Sequence, residues 1–197
     1  MPKNTDVRVG APDQKVTGAI KHAPVGTALP DLTDITKAAV TLNTAFTGDE
    51  YVSEDGLTLS PSRSTTEIKD WSGSTVRKVL ESFDGTLAWT MISTNEGALS
   101  IAFGADHVTT AAATTTHGAQ VKAALGAYLP EEQAWVFLMK DGDARIVIAV
   151  PDGQITEVGE VTFASNNAVG WNVTLSCYPD AAGNSIYIMT DDGVVTA

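Results

Sequence analysis

The chain has 197 residues, a formal net charge of −12 and a sequence pI near 4.4. That length supports one domain with a sizeable core, while the charge excludes nucleic-acid binding by phosphate neutralisation, which needs clustered Lys and Arg. A single cysteine, Cys177, excludes an intrachain disulfide framework, and with no apolar leader and no bilayer-length apolar run, folding in a reducing cytoplasm is expected.

In chain order, residues 1–15 are polar, carry Pro2 and Pro12, and read as an N-terminal arm outside the core. Residues 16–197 read as one domain. A first strand is predicted over 16–23, followed by Pro- and Gly-rich loop chemistry to Pro30. Residues 31–46 hold Ile35, Ala38, Ala39 and Leu42 at helical spacing, but their many threonines argue for loop with at most one helical turn. A long loop is predicted over 40–66, with an acidic stretch formed by Asp49, Glu50, Glu54 and Asp55. Leu57 and Leu59 alternate with Thr58 and Ser60 as in a strand with one wet face, and Pro61 points to a sheet edge. Two strands, 67–71 and 75–80, are predicted around a Ser72-Gly73 turn. Leu87, Trp89 and Met91 alternate as a further strand.

One helix is predicted next. Ser93 and Glu96 fit a capping box, Leu99, Ala102 and Phe103 share a face, and Gly104 is placed as the stop. Residues 109–116 are a low-complexity Thr/Ala connection. Strands are predicted over 133–140, 144–150 and 154–163, separated by turns at Asp141-Gly142 and Pro151-Asp152-Gly153. Residues 171–178 alternate cleanly, and Gly183-Asn184 turns into a last strand over 186–190. Residues 135–139 and 146–150 are apolar on both faces, so both faces need a cover. The helix can provide part of it. A neighbouring subunit is the natural source of the rest, and a closed sandwich is the alternative.

No constellation for catalysis or metal binding stands out. His22, His107 and His117 have no paired ligand spacing. Asp141-Gly142-Asp143 is explained as a turn and lacks the rest of a calcium loop. There is no phosphate loop and no nucleophile elbow. The chain is therefore expected to be neither an enzyme nor a cofactor carrier. Trp71, Trp89, Trp135 and Trp171 all fall in core-like patterns, which argues against an aromatic binding platform.

The segments Tyr51-Val52-Ser53-Glu54-Asp55-Gly56-Leu57, Lys69-Asp70-Trp71-Ser72-Gly73 and Thr94-Asn95-Glu96, with Phe103-Gly104 closing the helix, carry a resemblance. The chain resembles the major tail proteins of long-tailed bacteriophages, nearest to those of actinobacterial hosts. The likeness covers most of the sequence, and residues 18–30 look like the family's N-terminal strand and loop. It implies a mainly β, sandwich- or barrel-like fold with one short flanking helix and extended loop and terminal arms. It further implies a homo-oligomer of hexameric rings stacked into a tube, with a tape-measure protein and tail tip and terminator proteins as partners. DNA would pass through the lumen without specific binding. The protein would reside in the virion tail after assembly in the host cytoplasm.

By the same resemblance, residues 48–63 would reach a neighbouring subunit or ring, which makes Asp49, Glu50, Tyr51, Glu54, Asp55 and Arg63 the candidate contact residues. Deleting residues 49–62 is then expected to leave a folded monomer unable to form tubes. With the sequence ending at Ala197 soon after the last strand, no immunoglobulin-like decoration domain is expected. Two rivals remain at this stage: the tube protein of a contractile tail or injection system, and a monomeric β-sandwich binding module.

Overall fold

The computed structural model describes residues 7–13, 18–48 and 50–195. Its elements are β1 (Ile20–Pro24), β2 (Val52–Lys69), β3 (Thr75–Met91), α1 (Glu96–Phe103), β4 (Val108–Ala111), β5 (Gln120–Ala123), β6 (Gln133–Asp141), β7 (Ala144–Val158), β8 (Trp171–Tyr178) and β9 (Tyr187–Asp191). Among the described residues the fold is mainly β with one α-helix, as predicted.

One antiparallel seven-stranded sheet runs β1-β6-β7-β8-β3-β2, with β9 also on β7; β4 and β5 form a separate two-stranded sheet. The long β7 organises the main sheet. Its first half pairs with β6 and β9, and its second half pairs with β8. The predicted turn at Pro151-Asp152-Gly153 is not a turn, because the strand continues through it to Val158. Proline lacks the N–H of a regular ladder and is tolerated at irregularities. Pro151 sits where the β6–β7 register shifts, between the Trp135–Val150 and Gln133–Gly153 pairs.

The sheet curls so that its halves face one another. Trp89 on β3 lies 5.5 Å from the Trp135 ring and 5.4 Å from the Phe137 ring, both on β6. These rings, with Leu87, Met91, Val150, Ile155, Val173, Leu175 and Cys177, form the larger core, and Ala98, Ile101 and Ala102 of α1 pack onto it. A helix of this length is marginal alone, so this packing stabilises it.

Strand β6 is buried on both faces. Trp135 and Phe137 enter the larger core, while Ala134, Val136 and Leu138 enter a second cluster with Val147 and Ala149. That second face is covered by the chain itself rather than by a neighbour. Ile35 and Phe46, with Leu29, Val40 and Leu42, lie across it. Residues 31–46 are irregular apart from a 3-10 turn at Leu32–Asp34.

The predicted arm is also corrected where it is described. Asp13 N–H donates to Leu138 O (3.2 Å) and Lys140 N–H to Ala11 O (2.7 Å), which attaches residues 11–13 to the edge of β6. Asp13 and Arg145 form an ion pair, and both are buried. The Arg145 guanidinium donates further to the carbonyls of Thr36 (2.8 Å), Lys37 (3.2 Å) and Ala38 (2.8 Å). One cation thus ties the N-terminal segment and the covering loop to β7.

Candidate self-assembly surface

The predicted long loop over 40–66 is largely strand. From Val52 onward it belongs to β2, which pairs with β3 along its length, and β3 is one strand of 17 residues rather than two. Leu57 and Leu59 pair with Trp89 and Leu87 and pack against the larger core. Strand β3 pairs with β8 only from Gly85 to Met91. The pairs from Ser62–Asp84 to Lys69–Thr75 therefore form a two-stranded ribbon without a third strand. Eight residues at about 3.3 Å each give it a reach of roughly 26 Å.

Both ribbon strands are solvent-exposed along this stretch. Even so they carry Ile68, Val76, Val79, Leu80 and Phe83. The ribbon is held by local polar bonds. Ser64 and Thr66 donate to the Glu81 carboxylate, which lowers its pKa, and Lys78 pairs with Glu67 at 3.0 Å. The Arg63 guanidinium lies 5.4 Å over the Phe83 ring. At the tip, Asp70 accepts hydrogen bonds from the Ser72 hydroxyl (2.6 Å) and the Ser74 N–H (2.9 Å), and these hold its carboxyl below the ordinary value. Trp71 stands on that turn with a relative exposure of 104%. Its placement in a core pattern is corrected: Trp89 and Trp135 are buried, Trp171 is half-buried, and Trp71 touches nothing that would cover it. The signal for this exposure was available in the Asp70 to Ser74 turn chemistry, since a side chain at the apex of an unsupported hairpin has no sheet to pack on.

The six candidate contact residues do not form one cluster. Asp49 lies outside the described residues. Tyr51, Glu54 and Asp55 are exposed near the irregular start of β2, and Arg63 lies further out on the ribbon. Glu50 turns inward to α1, where its Oε1 occupies the space a Cβ on Gly97 would take. Glycine at position 97 therefore makes room for the carboxylate beside the first turn of the helix, where negative charge is favourable.

The predicted helix cap is corrected too. The N-cap is Asn95, whose side-chain oxygen accepts from Ala98 N–H at 2.9 Å. Ser93 instead accepts from Tyr51 N–H at 3.0 Å, and Glu96 is the first helical residue. Gly104 does end the helix. Its φ of 83° suits glycine, and its N–H donates to Ser100 O at 2.8 Å.

Other chemistry is sparse. Cys177 is buried, and desolvation pushes its thiol pKa up to about 12. Among the described residues no group of three or more His, Cys, Asp or Glu could hold a metal ion, and no helix is long and apolar enough to cross a membrane.

A family profile described as phage tail tube protein matches residues 3–197. The chain belongs to the phage tail tube proteins. It is thus a structural component of the virion tail, a subunit of a multi-copy tube. No curated protein matches the sequence. Among solved structures the chain is similar to the anti-feeding prophage cap, a tube terminating cap, at 13% identity over 94% of each chain. With a TM-score of 0.46, that likeness supports no transfer of detail to this tail tube protein.

Proposed function

We propose that copies of this chain close into hexameric rings, that the rings stack into the tail tube of a long-tailed siphophage of an actinobacterial host, and that the tube conducts DNA at ejection. The observation that carries this reading is the unsupported β2–β3 ribbon. A two-stranded hairpin is marginal in water by itself, and exposed apolar side chains on a sheet edge promote association. In a ring each ribbon and each open β2 edge meets a neighbour through a heterologous contact that closes by rotation. The opposite edge is less available, because β1 is already bridged through His22 and Thr47 with hydrogen bonds of 2.8 and 2.9 Å.

The net charge of −12 suits a conduit, since an acidic wall gives passing phosphates no counterion-release gain. A tape-measure protein and tip and terminator proteins would set the length and ends of the tube.

Negative-stain imaging of concentrated purified protein tests the reading: tubes or six-membered rings are expected, and a featureless monomer at high concentration would sink it. A deletion of 49–62 is the wrong variant, because it removes Leu57 and Leu59 from the core sheet. Replacing residues 62–84 with a two-residue turn keeps both core pairs. The expected product is a folded monomer that forms no tubes.

A further inference from the structure

The ribbon's outer part differs in charge from the rest of the chain. Residues 63–83, from the Arg63–Phe83 pair outward, hold four cations (Arg63, Lys69, Arg77, Lys78) and three carboxylates (Glu67, Asp70, Glu81), net +1 within a chain of −12. Residues 146–195 hold six carboxylates and no Lys or Arg. A groove borders this cation-free region. It is formed by Ala102 and Phe103 at the end of α1, by residues 125–130 and by Ile155 to Val158 of β7. Leu125 and Leu129 are exposed there. Glu157 lines the groove, and Glu131, Glu132 and Glu160 follow within two residues of lining positions; the nearest cation along the chain is Lys122. Tyr128 also lines it, stacked on His107 at 3.5 Å between centroids, and its hydroxyl is buried without a hydrogen-bond partner.

We infer that this groove receives the ribbon tip of a second copy, with Trp71 as the anchor. This rests on the assembly reading above and names its contact. The two surfaces are complementary in two independent respects. An exposed indole meets an apolar groove. Lys69, Arg77 and Lys78 around it meet Glu157 in the groove lining and the exposed Glu160 two residues beyond that lining, which favours the correct pairing and speeds encounter. The tip is also pre-organised: Asp70 N–H donates to Ser74 O at 2.9 Å and Gly73 N–H to Asp70 O at 3.0 Å, so little turn entropy is lost on docking. Tryptophan is among the residue types enriched at interface hot spots, which cluster in desolvated pockets.

Three variants of the full chain test the inference by tube imaging and pelleting. Trp71→Ala removes a side chain without packing partners, so its melting curve should match the parent. Its tube-forming concentration should rise about thirtyfold. Lys69→Glu with Arg77→Glu should block tubes, and mixing with Glu157→Lys/Glu160→Lys chains should restore them, which loss of folding cannot mimic. Ser72→Cys with Leu125→Cys should give a ladder of disulfide-linked multimers on oxidation of assembled tubes. Parent tubes with unchanged Trp71→Ala assembly and no ladder would overturn the docking while leaving the tube reading intact. A parent chain that never assembles would overturn both.

Discussion

The Asp13–Arg145 pair offers a decisive test of whether the N-terminal segment belongs to the fold. Both side chains are at most 2% exposed, and they join residues separated by 132 positions. Asp13→Ala leaves the guanidinium buried with its three carbonyl acceptors but without a bonded counter-charge, and the exposed Asp143 carboxylate acts on it only at longer range. Breaking a buried pair from one side costs about 3–5 kcal/mol. The carbonyls of Thr36, Lys37 and Ala38 retain part of the solvation, which places the expected loss near the low end, about 3 kcal/mol. For a chain of this length each kcal/mol moves Tm by about 2–4 °C, so Tm should fall by roughly 6–12 °C. Urea unfolding of the monomer gives the free energy directly, and thermal melts give the shift. Arg145→Met and the double variant complete a cycle. The double variant should be less destabilised than the two single losses added together, because the stranded charge is gone. A cost below about 1 kcal/mol for Asp13→Ala would refute the reasoning and return residues 7–13 to the status of a loose arm.

The remaining predictions concern local chemistry. His22 is half-buried against Trp135 at 5.3 Å between ring centroids, and its pKa is lowered from 6.5, chiefly by desolvation, with Lys21 adding to this and a Gln133 hydrogen bond opposing it. Above pH 6.5 the ring is neutral in both folded and unfolded chains; below it the unfolded chain takes up the proton first, so stability should fall by at most about 1.4 kcal/mol per pH unit until the native ring also protonates. Urea midpoints between pH 7.5 and 5.5 should fall less steeply for His22→Gln, and parallel profiles would contradict the assignment. Asn95→Ala should cost about 1 kcal/mol through loss of the cap, and Ser93→Ala less, about 0.5 kcal/mol, through loss of the bond from Tyr51 N–H. The reverse order in urea unfolding would restore Ser93 as the cap.

Legibility in the sequence followed the range of the interactions involved. Alternation alone located β8, because one face of Trp171–Tyr178 meets the core and the other does not. Gly104 was legible because a helix stop with positive φ is a local requirement. The cap was misplaced by two residues because Ser93 and Asn95 are both competent oxygens, and pairing with Tyr51 N–H, 42 positions away, decides between them. The Ser72-Gly73 turn was legible in the sequence, but the ribbon that carries it was not. Nothing in the local pattern says that β2 and β3 continue past the last β8 partner.

The amino-acid sequence by itself determined the mainly β class, the positions of the apolar strand segments and the net negative charge, since each is set by residue type and near-neighbour periodicity. Tertiary structure alone decided that the second face of β6 is covered by residues 29–46, that Arg145 binds two distant segments, and that Trp71 is left outside. Those outcomes depend on which surfaces meet across long stretches of chain, and burial of a charge or exposure of an indole is a property of that meeting rather than of the residues on either side.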